Sequence, residues 1–441
     1  MIGNTLSNIS NIVWGPITIV LLVGTGIFLT IRLKLIQARK LPHAFALISG
    51  KYDDPKDKGE ITHFQALSTA LAATIGTGNI AGVATAIAVG GPGAVFWMWI
   101  TAIFGMATKY TSCLLALNYR IFHKDGTVSG GPMYFLEKGL GQKWLAVIFA
   151  FCTAVAALGI GNMVQSNSVA DALRHSFKIT PLITGIVMAV LVWLVVVGGI
   201  KRIGHVASRL VPTMCVLYIL GAVTILIINF REIPNAFYLI FKYAFTPTSL
   251  TGGFLGSTVA MTIRMGVARG VFSNESGLGS APIAHAAART NEPVREGLVA
   301  MTGPLIDTLI ICSMTALVII TSGLWNSGVS GTPLTARAFA AGLPMIGEYI
   351  VTIGIMLFAF STVISWCYYG ERGAEYLFGE KVIRFYRWLY VLVIPLGAYA
   401  RLITVWSAAD IANGLMAFPN LIGLIGLSGV AVKLTRNYFK G

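Results

Sequence analysis

Long apolar stretches separated by short polar ones run through the whole chain. Eleven of them, at 11–32, 64–89, 93–119, 144–172, 182–200, 210–230, 253–285, 297–322, 348–376, 384–402 and 404–432, are near-continuous runs of aliphatic, aromatic and small residues. Crossing a bilayer as a helix takes about 20 apolar residues, and in hydrocarbon a lone segment satisfies its own backbone only as a helix. The pattern predicts an all-α integral membrane protein with eleven transmembrane helices, forming one transmembrane domain over residues 1–441. Its longest polar stretch, from Gly50 to His63, reads as a loop.

Two of the runs are interrupted. The span 64–89 contains Gly76-Thr77-Gly78-Asn79, and the span 253–285 contains Gly270 through Gly279 with Ser273-Asn274-Glu275-Ser276 inside it. A glycine weakens a helix by about 1 kcal/mol relative to alanine, and an unpaired amide in hydrocarbon costs several more. Such segments break, and the freed backbone groups need a ligand or a water-filled cavity. Setting aside an extra N-terminal helix at 11–32, the remaining ten spans divide into five (62–232) and five (250–435), and each five opens with an interrupted span. Five is odd, so the second set enters the membrane in the opposite sense. Two broken helices at matching positions of two inverted repeats point to a secondary transporter and to its binding site. No residue-level identity relates the halves.

Composition and charge narrow this picture. Apolar residues make up 56% of the chain and charged residues 11%, against about 25% charged in soluble domains. The net charge of +15 is not a nucleic-acid surface. Most Lys and Arg residues, led by the cluster from Arg32 through Lys58, fall on one side when loops are numbered alternately. That asymmetry places the N-terminus outside and the C-terminus in the cytoplasm. The five cysteines lie in apolar runs without C-x-x-C spacing and read as core residues. The first span, without a basic leader or a clear cleavage site, reads as a retained helix.

The two breaks offer complementary chemistry. Amide N–H groups at the start of a half-helix favour a carboxylate, and carbonyls at the end of one suit Na⁺ or an ammonium group. A zwitterionic amino acid presents both charges within a few ångströms, whereas neither break holds the carboxylate cluster a divalent metal requires. Thr77, Gly78, Asn79, Ser273 and Asn274 are therefore the candidate substrate contacts at the breaks. Close helix packing is the competing explanation of the glycines; it accounts for Ala81-Gly82 and Gly90-Gly91 but poorly for Asn79 or Ser273-Asn274-Glu275.

The stretch Gly90-Gly91-Pro92-Gly93-Ala94-Val95-Phe96-Trp97-Met98-Trp99-Ile100-Thr101-Ala102-Ile103-Phe104-Gly105 resembles the signature of the alanine or glycine:cation symporter family. Gly76-Thr77-Gly78-Asn79-Ile80-Ala81-Gly82 and the segment from Arg269 to Pro282 also resemble that family, and the likeness spans essentially the whole chain. It implies a LeuT-type fold, sodium-coupled uptake of small neutral amino acids such as alanine and glycine, and a prokaryotic plasma membrane. Thr74-Ile75-Gly76-Thr77-Gly78-Asn79 is also similar to the G-x-G-N break of the neurotransmitter:sodium symporters.

Within that arrangement Gln165 lies on a helix lining the site, where a buried amide both donates to a carboxylate and accepts from an ammonium. A plain helix–helix hydrogen bond is the competing reading. Phe272 and Trp366 are expected to wall the pocket and limit side-chain volume. Ser361 and Thr362, with carbonyls of Ala72 and Ile75, are the candidate sodium ligands, since hard oxygen donors suit an alkali cation. Bonding of the two hydroxyls to the carbonyl one turn back is the alternative. Four intramembrane charges, Arg264, Glu275, Asp307 and Asp410, remain, with Arg269 beside the second break. For Asp307 a cation contact, a proton carrier and a bridge to Arg264 stay open, the bridge being favoured.

Three function classes compete. An enzyme would need a catalytic or metal constellation, and the six histidines show no such spacing. An ion channel would need rings of like residues from several subunits rather than two inverted halves. The reading is a sodium-coupled symporter for small neutral amino acids, with Na⁺ as coupling ion, the lipid bilayer as surroundings and no nucleic-acid partner. A proton-coupled amino acid transporter is the alternative, and oligomeric state is unassigned.

Overall fold

The computed structural model describes residues 9–10, 12–249, 253–400 and 403–440, with the side chains of 403–407 left aside. The expected repeat boundary at 250 and the first eight residues lie outside the described residues. Helices follow in the order α1 (Pro16–Arg32), α2 (Leu41–Ile48), α3 (His63–Thr74), α4 (Gly78–Gly90), α5 (Ala94–Asn118), α6 (Lys143–Phe177) and α7 (Pro181–Val196). Then come α8 (Gly199–Ile228), α9 (Ile233–Phe245), α10 (Val259–Asn274), α11 (Ala281–His285) and α12 (Pro293–Thr321). The chain finishes with α13 (Gly331–Gly342), α14 (Gly347–Phe378), α15 (Val382–Tyr399), α16 (Ile403–Gly426) and α17 (Ser428–Tyr438). Among the described residues one small hairpin pairs Ile121–Phe122 with Val128–Ser129.

Among the described residues seven helices are long and apolar enough to cross a membrane, eight when α3 and α4 count as one bent span. Helices α1 and α7 are apolar but shorter. The apolar runs locate the long helices well, but α8 begins at Gly199, well before the run at 210–230. The short helices α9 and α13 match no expected span.

Each interruption has a local cause. Helix α3 starts with a capping box: the Thr62 hydroxyl accepts from the Gln65 amide and the Gln65 side chain accepts from the Thr62 amide. It ends where Ile75 turns out of the helical region (φ −77°, ψ 89°), and α4 resumes at 52° to it. Helix α10 runs through Asn274 and stops when Glu275 takes a left-handed conformation (φ 55°). The second non-helical stretch is therefore Glu275–Ser280, later than the expected Gly270–Gly279. Gly270 is helical because it is a packing residue: a Cβ there would sit 2.4 Å from the Thr101 hydroxyl of α5. Gly82 behaves in the opposite way. Its Cβ position is open, so close packing does not explain it.

One end of the molecule is tied shut. Residues 58–61, before α3, run alongside 286–290, after α11: Glu60 N–H donates to Ala287 O (2.8 Å) and Arg289 N–H to Ile61 O (2.7 Å). The Arg120 guanidinium then donates to the carbonyls of Lys58, Ala286, Ala288 and Thr290 at 2.6–2.9 Å. Buried Glu296 joins His63 of α3 to His285 of α11 (2.5 Å to the latter). Burial holds the nearby Glu60 carboxyl above its usual range, against the lowering effect of the Val128 N–H it accepts.

Candidate functional site

The two breaks meet. A Cβ on Gly78 would lie 3.3 Å from both the Phe272 ring and the Ser273 Cα, so the start of α4 packs directly on the last turn of α10. Three neighbouring helices widen at this level. Wide π-type turns occupy Gly78–Gly82, Gly159–Met163 in α6 and Leu305–Cys312 in α12. Such turns leave backbone groups unpaired and gather at functional sites. Some are met by protein groups: Thr315 donates to Asn79 O (2.8 Å), Thr335 to Ile80 O (3.0 Å), and Tyr390 to Gly161 O (3.0 Å).

Others are not met. Gln165 follows the wide turn of α6 and spends its amide N–H on Ile160 O (3.2 Å), leaving its Oε1 buried without a hydrogen-bond partner among the described residues. That oxygen faces the first break: a Cβ on Gly76 would sit 3.5 Å from it and 2.6 Å from Thr362 Oγ1. Only glycine fits there. The hydroxyls of Thr77 and Ser365 are buried and equally without partners. Leaving a buried polar atom unpaired costs about 1–3 kcal/mol, and of these Gln165 Oε1 and Thr77 Oγ1 lie at the first break, with Ser365 one turn beyond Thr362 on α14.

Beside them lies a group of neutral oxygens. Ser361 Oγ and Thr362 Oγ1 of α14 both reach Ala72 O on α3, at 3.2 and 3.1 Å. Each also donates to Phe358 O (2.8 and 2.9 Å), so the one-turn-back bond expected of membrane hydroxyls is present too. Ile75, fully buried, ends the same turn of α3. Among the described residues no cluster of His, Cys, Asp or Glu could hold a metal, and the uncharged oxygens here suit a monovalent cation.

The remaining candidates have other partners. Asn79 is committed inside the protein: its Oδ1 accepts from Gly76 N–H (2.9 Å) and its Nδ2 donates to Asp307 Oδ1 (2.7 Å). Ser273 donates to Asp307 Oδ2 (2.9 Å), and Asn274 donates to Thr308 Oγ1 (3.1 Å) while accepting from Ser276 N–H (2.9 Å). Asp307 also accepts from Thr308 (2.6 Å). The favoured bridge from Asp307 to Arg264 is thus corrected: the wide turn of α12 aims the carboxylate at the two breaks, and it ties them together. Arg264 instead lines a separate cavity of about 270 Å³ with Arg269, Asp410 and Ser10. Phe272 forms part of that cavity's wall and packs on Gly78 with its ring, so it partitions the cavity from the first break.

Trp366 packs its stem on Gly161 and donates its indole N–H to Glu275 Oε1 (3.0 Å). Glu275 also accepts from Ser280 (2.5 Å), so the carboxylate braces the second break against α14. Lys109, buried in α5 against Gly303, has Glu275 and Asp307 as its opposing charges. Sequence reasoning passes over it, although a lysine inside the run 93–119 is itself the signal.

With this geometry established, comparison with known proteins gives consistent results. The model of the sodium:alanine symporter family matches residues 1–441. The sodium/alanine symporter AgcS of Methanococcus maripaludis is 54% identical, over 98% of this chain and 96% of its own. The probable sodium/glutamine symporter GlnT of Bacillus subtilis is 38% identical, over 97% and 89%. Among solved structures, MhsT in complex with L-phenylalanine aligns with a TM-score of 0.61 at 12% identity, covering 86% of this chain and 98% of that one. At that identity the likeness speaks for the fold alone, and the fold is that of the LeuT-type transporters.

Proposed function

This chain belongs to the sodium:alanine symporter family, and we propose that it imports small neutral amino acids, alanine and glycine foremost, together with Na⁺ by alternating access. It is a multi-pass membrane transporter and not an enzyme. The observation that carries the proposal is the set of unpartnered buried oxygens, Gln165 Oε1, Thr77 Oγ1 and Ser365 Oγ, beside the neutral oxygens of Ala72, Ser361 and Thr362.

In this reading the substrate carboxylate lies at the N-terminal end of α4, where Thr77 and Gly78 offer backbone N–H groups and the helix dipole favours an anion. Its ammonium group takes the free Gln165 Oε1, and its side chain points toward Phe272 and Trp366. Na⁺, as co-substrate, takes oxygens of Ala72, Ile75, Ser361 and Thr362. An ion between α3 and α14 steadies the turn that bears Gly76, and Gly76 adjoins Gln165. Ion and amino acid then favour the same conformation, which is what coupling requires. Asn79, Ser273 and Asn274 shape the breaks through Asp307 and Thr308. The tie formed by Arg120 and Glu296 closes the cytoplasmic side and opens when solute is released inward.

The same reading takes eleven spans, with an N-terminal helix followed by inverted repeats at 62–232 and 250–435. It puts the N-terminus outside, the C-terminus in the cytoplasm and the protein in a prokaryotic plasma membrane. The test is uptake into sealed proteoliposomes. An inward Na⁺ gradient drives accumulation of alanine against its own gradient. Accumulation driven by a pH gradient alone would favour proton coupling, and Na⁺ flux indifferent to alanine would favour a channel.

A further inference from the structure

At the end of α1, a cavity of about 560 Å³ opens between α1, the turn that follows it and α17. Its rim carries Arg32, Lys34, Arg39, Lys40, Arg436 and Lys440, and among the described residues no acidic side chain lines it. Among the described residues none of these six cations forms a salt bridge. Among the described residues Arg32 donates to the Ser428 hydroxyl (2.9 Å), Arg39 to the Lys34 carbonyl (3.3 Å), and Lys40 stacks its ammonium on the Phe439 ring at 4.0 Å. So many like charges around one opening repel one another unless an anion joins them.

The site is also built. The turn after α1 holds Lys34 and Leu35 at φ 54° and 56°, left-handed conformations that non-glycine residues rarely adopt and that gather where ligands are clamped. Helix α17 is pinned by three side-chain bonds: Ser428 to Arg32, Thr435 to Tyr110 (2.6 Å), and Tyr438 to His43 (2.8 Å). Burial, with help from the charges of Lys40 and Arg295, keeps His43 below its ordinary value. The cavity floor is apolar, made by Leu33, Ile36 and Val432. From this end the exposed faces of two helices that pack together, α1 with Ile27, Phe28 and Ile31 and α16 with Ile422 and Ile425, lead back along the membrane-spanning body.

We propose that this cavity binds the phosphate headgroup of an anionic phospholipid, with its acyl chains lying along the exposed apolar faces of α1 and α16. Basic pockets between transmembrane helices at the headgroup level are where such lipids are held. Arginine supplies bidentate phosphate contacts and the lysines supply point charges. A free phosphate would meet the same cations but would leave the apolar faces unused.

The experiment uses the full-length protein, purified and stripped of lipid in an uncharged detergent. Native mass spectrometry follows titrations with phosphatidylglycerol, phosphatidylcholine, glycerophosphoglycerol (the same headgroup without chains) and inorganic phosphate. Phosphatidylglycerol is expected to bind at least tenfold more tightly than phosphatidylcholine. The triple substitution Arg39→Gln, Lys40→Gln, Arg436→Gln should remove that preference while leaving phosphatidylcholine binding unchanged. Equal binding of the two lipids to the natural protein overturns the proposal, whatever the variant does. Binding of glycerophosphoglycerol or phosphate as tight as that of the lipid overturns the lipid assignment. If the triple variant does not fold, Arg436→Gln alone at an exposed position should still weaken phosphatidylglycerol at least threefold, and no change there contradicts the site.

Discussion

The two interruptions look alike in sequence and differ in what their polar groups do. At the first, Gln165 Oε1 and Thr77 Oγ1 are buried, neutral and unpartnered among the described residues, and so is Ser365 Oγ one turn beyond Thr362. Around the second, Ser273, Asn274 and Glu275 are all spoken for by Asp307, Thr308, Ser276, Ser280 and Trp366. A glycine-rich break can thus leave room for a ligand or anchor a strut. Here the second break, whose carboxylate and amide side chains are bonded while only the buried Ser276 hydroxyl is without a partner among the described residues, holds the first one in shape. Asn79 is the link, since one amide side chain caps Gly76 N–H and reaches Asp307.

The contrast is most easily broken at Asn79. Asn79→Leu removes a donor from the buried Asp307 carboxylate, an effect of about 3 kcal/mol. Thermal unfolding in detergent should show a large drop whether or not alanine and Na⁺ are present. A variant that melts normally and only binds alanine poorly would make Asn79 a ligand contact rather than a brace.

Next comes Gly76→Ala. Its methyl group would meet Thr362 Oγ1 at 2.6 Å, and overpacking strain of about 1–3 kcal/mol should weaken alanine and Na⁺ together by roughly 10- to 100-fold. Equilibrium binding with both ligands checks this, and loss of one affinity alone contradicts the shared geometry.

A smaller and more selective effect is expected from Thr362→Val. It keeps the shape and deletes one oxygen, so Na⁺ affinity should fall by roughly tenfold, about 1.5 kcal/mol. The Na⁺ concentration for half-maximal uptake measures it. An unchanged value removes Thr362 from the ion site.

The smallest change should come from Gln165→Met, which removes the unpartnered oxygen together with the donor to Ile160 O. The two effects offset, so ligand-free stability should change by no more than about 1 kcal/mol, while alanine binding weakens. A loss of ligand-free stability comparable to that of Asn79→Leu would show that Gln165 is structural.

What could be read from the sequence follows local cost. Glycine and asparagine inside an apolar run are expensive, so the first break, and the pairing of Ser361 and Thr362 with Ala72, were legible from residue type and the family likeness. The second break shifted to 275–280 because Gly270 serves packing against Thr101, which only tertiary structure reveals. Asp307 was legible as a buried charge but not as a hub, since its partner Asn79 lies 228 residues away. Trp366 was expected only to wall a pocket, because its bond to Glu275 spans 91 residues. Helices α9 and α13 were missed because the spans were sought by apolar length alone.

The central claim, that ion and amino acid share the first break, is tested most directly by titration calorimetry of the natural protein. Alanine is titrated without and with saturating Na⁺, and Na⁺ without and with saturating alanine. Linkage requires each ligand to strengthen the other by the same factor, and the account predicts a factor of about ten or more, reduced in Thr362→Val. An alanine Kd indifferent to Na⁺ would contradict it.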